Sequence, residues 1–113
     1  MNKTILLILT VISILFVSKS FSQTEWKQID SPTDKLLRHV FFIDSTTGWC
    51  AGRDGIIIHT SDGGNTWIEQ NSTVQTFIVS LFFVDKNLGW ALTITDTPPF
   101  GTTVLETTNG GEE

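Results

Sequence analysis

The chain has 113 residues, seven of them Lys or Arg and twelve Asp or Glu, for a formal net charge of −5. Without the first 22 residues, the remaining 91 keep five basic side chains and all twelve acids, a net charge of −7. That length fits one small domain at most, and so acidic a chain is poorly made for gripping phosphate backbones, which excludes nucleic acid as a partner. A single cysteine, Cys50, excludes an internal disulfide framework and a cysteine-rich zinc site, while tyrosine is absent beside four Trp and eight Phe.

The N-terminus differs in kind from the rest. Met1-Asn2-Lys3-Thr4 carries one positive charge, and Ile5 to Val17 is apolar apart from Thr10 and Ser13. Ser18-Lys19-Ser20-Phe21-Ser22 closes the run with small residues three and one before a cut. This is the pattern of a secretory signal peptide over 1–22, with cleavage before Gln23. The apolar run is short of the roughly 20 residues that a membrane span needs, so no stable span is expected after cleavage. No cysteine follows it, so a lipid anchor is not supported, and the mature chain is expected to be secreted, periplasmic or at the cell surface.

Residues 23–113 repeat. Phe41-Phe42-Ile43-Asp44-Ser45-Thr46-Thr47-Gly48-Trp49 recurs 41 positions on as Phe82-Phe83-Val84-Asp85-Lys86-Asn87-Leu88-Gly89-Trp90. The same offset carries Trp26 onto Trp67, Ser31 onto Ser72 and Leu37 onto Ile78. Thr60-Ser61-Asp62-Gly63-Gly64 returns as Thr107-Thr108-Asn109-Gly110-Gly111 at offset 47, and the six extra residues fall in a Pro-containing insertion loop around Thr95–Gly101. Each unit alternates short β-branched and aromatic runs with turn residues: Leu36–Ile43, Gly48–Ala51, Ile56–Ile58 and Thr66–Gln70 in the first. Four short strands per 40-odd residues make a β-propeller blade, and no stretch has helical periodicity. The expected fold is all-β, with 26–36 as the tail of a preceding repeat and a linker, 37–70 as a first four-stranded blade and 77–113 as an incomplete second. Offset 47 places the next Trp just past Glu113, so the chain is expected to be a fragment of a longer propeller.

Thr60-Ser61-Asp62-Gly63-Gly64-Asn65-Thr66-Trp67 fits a self-contained hairpin turn. An Asp there accepts from the next few backbone N–H groups, a glycine at position 64 permits positive φ, the Thr66 hydroxyl closes the loop and Trp67 covers it. The run matches the Asp-box, Ser/Thr-x-Asp-x-Gly-x-Thr-Trp, at every defined position, and the chain resembles the Asp-box (BNR-like) β-propellers. Within them it looks most like the subgroup related to the photosystem II stability/assembly factor, in which a Phe-Phe-x-Asp-x-x-x-Gly-Trp strand pair precedes each turn. The resemblance covers Trp26 to Glu113. It implies structural roles for Thr60, Asp62, Gly64, Thr66 and Trp67, and for Asn109 and Gly111 in a degenerate second copy where Asn stands for Asp.

The sialidases, also Asp-box proteins, use an arginine cluster and a tyrosine nucleophile; this chain has no Tyr and, besides Arg38 and Arg53, no arginine. Asp44, Asp54 and Asp85 could be proposed as a carboxylate pair, but Asp44 and Asp85 are repeat-equivalent and suit turns better than a unique active site. His39 and His59 sit on different expected strands with no flanking acids, so no metal site is expected. Trp49 and Trp90 belong to the repeat, which favours packing between blades over ligand stacking. Arg38 and Arg53 have no basic counterparts one repeat on and are kept as candidate ligand contacts, although the Arg-rich patch of the assembly-factor subgroup is missing. The reading is a non-catalytic, cofactor-free propeller segment that binds protein or serves as a scaffold. The alternative is part of a carbohydrate-active propeller, contacting glycan, whose catalytic residues lie outside this chain.

Overall fold

A computed structural model of the chain describes residues 2–4 and 25–112; the signal segment expected at 1–22 lies, but for residues 2–4, outside the described residues. Residues 25–36 form no strand, and Trp26 is fully exposed. The fold is all-β, in two antiparallel sheets. The first has four strands in chain order: β1 (Leu37–Phe42), β2 (Gly48–Gly52), β3 (Ile57–Thr60) and β4 (Ile68–Gln70). The second has three: β5 (Phe77–Phe83), β6 (Gly89–Thr95) and β7 (Gly101–Thr107). Two meanders of this kind, with strands of three to seven residues, are propeller blades, the second with three strands among the described residues. Among the described residues no helix is long and apolar enough to cross a membrane.

Each turn has a chemical cause. The β1–β2 and β5–β6 connections fold around Asp44 and Asp85, whose carboxylates accept backbone N–H groups two and three residues on. Between β2 and β3, Asp54 (φ 56°) and Gly55 (φ 70°) both have positive φ, as a type I′ hairpin requires, and Ile56 N–H donates to Arg53 C=O at 3.2 Å. In the equivalent hairpin of the second sheet Asp96 to Pro99 do lie in the loop, but that loop does not hold all six extra residues. β6 and β7 have seven residues each where β2 and β3 have five and four, so five of the six extra residues lengthen paired strands. The ladder runs out to Thr95↔Gly101, because Thr93, Ile94, Thr102 and Thr103 are β-formers that gain hydrogen bonds by pairing.

Strand alternation gives each sheet two faces. One row of the first sheet is Phe41–Trp49–His59–Ile68 and a neighbouring one is His39–Ala51–Ile57–Gln70, both on the face turned to the second sheet. The second sheet answers with Ile78, Leu81, Phe83 and Ala91, with Leu105 at the margin. Trp49 is 0 % exposed and stacks on Phe83 with ring centroids 3.6 Å apart and planes 6° from parallel. Its indole N–H donates to Gly110 C=O at 3.0 Å, in the last turn of the second sheet. Gln70 donates to the same carbonyl at 3.0 Å. Trp49→Ala is expected to destabilise the protein by about 3–5 kcal/mol. Trp49→Phe should cost distinctly less, since Gly110 C=O keeps Gln70 as a donor; urea unfolding followed by circular dichroism measures both.

Candidate functional site

In the first Asp-box turn the side chains of Thr60, Asp62, Asn65, Thr66 and Trp67 are all hydrogen-bonded within the loop. The Thr60 hydroxyl accepts from Gly64 N–H at 2.9 Å and donates to Asp62 Oδ1 at 2.9 Å. Asp62 Oδ1 also accepts from Thr66 N–H at 2.9 Å, and Oδ2 accepts from the Thr66 hydroxyl at 2.6 Å. The Trp67 indole N–H donates to Gly64 C=O at 3.0 Å, and its ring meets Phe42 edge-on at 6.0 Å. Gly63 (φ 73°) and Gly64 (φ 90°) occupy left-handed backbone that side chains resist. The second turn is built alike. Thr107 accepts from Gly111 N–H at 2.8 Å and donates to Asn109 Oδ1 at 2.9 Å, and Gly110 and Gly111 have φ of 73° and 83°. An amide oxygen in the Asn109 position accepts the threonine hydroxyl as the Asp62 carboxylate does, without its charge.

The acids are spent in the same way. Asp44 accepts from Thr46 N–H, Thr47 N–H and the Thr46 hydroxyl at 2.8–3.0 Å, which with Lys86 Nζ at 3.8 Å lowers its pKa to about 2. Thr66 holds Asp62 below the usual carboxylate range by its hydroxyl and then its N–H, and the N–H groups of Leu88 and Asn87 do so for Asp85. A general acid needs a raised pKa, so all three are shifted away from that role. His59 packs on Trp49 at 5.0 Å, and burial lowers its pKa against the opposing charge of Glu112. No cluster of metal-ligating side chains occurs among the described residues. Cys50 is half-buried, which raises its thiol pKa.

The structure does not bring Arg38 and Arg53 into one site. Arg38 is the extra residue of a β-bulge in β1, between Leu37↔Gly52 and His39↔Ala51. Val79 is the extra residue of the matching bulge in β5, so one strand irregularity carries a cation in one blade and an aliphatic group in the other. Arg53 begins the β2–β3 turn, its N–H on Leu36 C=O at 2.8 Å and its side chain exposed beside a recess with Gln75, Phe77 and Asp96. What sequence reasoning missed is a cavity of about 170 Å³ between the sheets, lined by Trp49, Gln70, Leu81, Phe83 and Trp90, among others. Its lining comes from blade-packing residues, and no motif signals it.

The chain matches the family described as photosynthesis system II assembly factor YCF48 over residues 18–113. It is 40 % identical over 47 residues to the photosystem II stability/assembly factor HCF136 of Guillardia theta, covering 40 % of this chain and 12 % of that protein. It is 35 % identical over 52 residues to the photosystem II assembly lipoprotein Ycf48 of a Picosynechococcus species, covering 45 % and 15 %. Over 55 residues it is 33 % identical to the Ycf48 lipoprotein of Prochlorococcus marinus, covering 49 % and 16 %. Thus the chain spans under a fifth of the length of these relatives. No solved structure matches it.

The carboxylates give two expectations. Their folded pKa values are depressed, so the stability they contribute is complete above the unfolded value near 4 and is lost as pH falls through the folded ones. For Asp44 that window runs from about 4 down to about 2; a carboxyl NMR titration showing it at an ordinary value would contradict the turn geometry. Asp62→Ala, which strips two hydrogen bonds from Thr66, is expected to lower the melting temperature more than Asp54→Gly, which keeps the positive φ its turn needs.

Proposed function

Because this chain belongs to the photosynthesis system II assembly factor YCF48 family, we propose that it is an exported, non-catalytic propeller segment whose role is to bind protein. The observation that carries this reading is the fate of the side chains capable of chemistry. Asp44, Asp62 and Asp85 are each consumed by hydrogen bonds inside a turn, and Trp49 by packing between sheets. Such residues hold a surface in shape rather than turn over a substrate. The relatives are named as stability or assembly factors, which supports a protein as the partner. Their matched segments are too small a part of those proteins to carry the photosystem itself across. Within the turns, Thr60, Asp62, Gly64, Thr66, Trp67, Asn109 and Gly111 serve the scaffold. Arg38 and Arg53, exposed cations without repeat equivalents, are the proposed contact residues.

Export rests on the basic start, apolar run and small-residue end of residues 1–22, and two relatives named as lipoproteins support a non-cytoplasmic location. Expressed with its own N-terminus, the chain is expected outside the cytoplasm with Gln23 as its first residue, as N-terminal sequencing reads. It should turn over neither sialosides nor β-glucan oligosaccharides; turnover abolished by Asp44→Asn would overturn the non-catalytic reading. Cross-linking in the cells that make it should give one recurrent protein partner. Arg38→Glu with Arg53→Glu should weaken that cross-link and leave the melting temperature unchanged.

A further inference from the structure

The link between the two sheets holds a modification motif that neither the repeat nor the Asp-box explains. Asn71-Ser72-Thr73 has the form Asn-x-Ser/Thr, with x other than proline, that N-glycosylation requires. Residues 23–113 contain no second example. The motif directly follows β4, and residues 74–76 join it to β5, so its geometry is set by the two sheets it connects. Ser72 holds the segment down. It is half-buried, and its hydroxyl donates to Gly55 C=O at 2.6 Å and accepts from Val74 N–H at 3.4 Å. Asn71 and Thr73, on either side, are exposed. The Asn71 amide oxygen accepts from Thr73 N–H at 2.9 Å, which fixes the side chain through its oxygen. Its Nδ2, the atom that would take a sugar, has no partner among the described residues.

The repeat separates what the link needs from what it does not. Offset 41 carries Asn71, Ser72 and Thr73 onto Asp30, Ser31 and Pro32. Ser31 accepts from Thr33 N–H at 3.3 Å, as Ser72 does from Val74. The anchoring serine therefore recurs with its bond, while the residues that complete the motif do not. Thr73 is moreover a residue that its own backbone resists. Its φ is 65°, in the left-handed region where a β-branched side chain is crowded and Gly or Asn sits at ease. A residue kept against such strain points to a use other than local folding, and a hydroxyl two positions after an asparagine is what the motif demands.

We propose that Asn71 is an N-glycan acceptor, taking an oligosaccharide from a lipid-diphosphate carrier. The bond between the sugar C1 and Asn71 Nδ2 forms as the bond from C1 to the carrier's phosphate oxygen breaks. The lipid diphosphate leaves with that electron pair, and one Nδ2 proton passes to a base of the transferase. Such transfer takes place on exported chains, so the inference rests on the export proposed above.

The test is the intact mass of the full chain, secreted with its own N-terminus from yeast, whose secretory pathway performs this transfer. A discrete mass increase is expected, removed by an amidase that releases N-glycans and leaves an aspartate at position 71. Asn71→Gln and Thr73→Ala should each abolish the increase, and Thr73→Ser should retain it. A secreted chain that begins at Gln23 with Asn71 unmodified would overturn the inference. A chain kept inside the cell with Met1 in place would instead refute export by its own leader. Residues 23–113 behind a yeast secretory leader then decide the role of Asn71 separately, by the same mass increase or its absence. In unglycosylated protein, Thr73→Asn is expected to melt no lower than the parent, because Asn accepts positive φ more readily. A lower melting temperature would show that the fold itself selects the threonine, and would count against the inference.

Discussion

The indole of Trp49 joins the sheets in two ways at once, and the rest of the arrangement depends on it. Its face lies flat on Phe83 of β5, and its N–H reaches Gly110 at the far end of the same sheet. A single rigid side chain therefore fixes both the spacing of the sheets and their rotation. Stacking alone would leave the second sheet free to slide; the directional bond to a turn carbonyl removes that freedom. It also explains why the last turn must be well formed. Gly110 presents its carbonyl only because its backbone is left-handed and its N–H is tied to Asn87 C=O at 2.8 Å, which in turn places the Asp85 loop.

The Phe-Phe…Gly-Trp pattern is one packing unit. Phe42 pairs across the strands with Gly48, and Phe83 with Gly89. A Cβ on Gly48 would stand 2.7 Å from the Phe42 ring, and one on Gly89 would collide with Phe83. The glycine is thus the floor on which the second phenylalanine lies, an aromatic ring compensating a strand glycine that packs nothing itself. That flattening is what gives Trp49 a level ring to stack on. The first phenylalanine and the tryptophan, one step along their strands, face the other way. Four residue types in the sequence accordingly specify both sides of a sheet.

The sequence made the repeat, the strands and the turn chemistry legible, because a threefold coincidence of aromatic, glycine and acid at a fixed offset has no cheaper explanation than a repeated unit. Two kinds of fact were hidden. How far the strands run before the loop at Pro98 depends on pairing across them, which neither Thr93 nor Thr103 declares alone. That Arg38 sits in a bulge rather than in a regular row depends on the register of β1 against β2, and one residue of slip reverses every side chain. The cavity between the sheets was likewise invisible. It is a property of how Gln70 and Leu81 face one another across two sheets, not of either strand.

A protein built from copies of one unit supplies its own control. What both blades share, the Asp turns, the Gly–Phe floors and the threonine-closed loops, is accounted for by folding, since each blade needs it whatever the molecule does. What differs between equivalent positions is not demanded by the blade. Arg38 answers Val79, His59 answers Glu106, and a seven-residue β6 answers a five-residue β2. His59 lies against the buried Trp49 while Glu106 holds the indole N–H of Trp90, so one position serves a covered tryptophan with a ring and an open one with a charge. The differences follow the environments of the two faces. Arg38 has no such account: it points from an exposed bulge, pairs with no acid among the described residues, and replaces an aliphatic group that the same bulge accepts. A charge that the fold does not need, held out by an irregularity that the fold repeats, is where selection on a partner would show first.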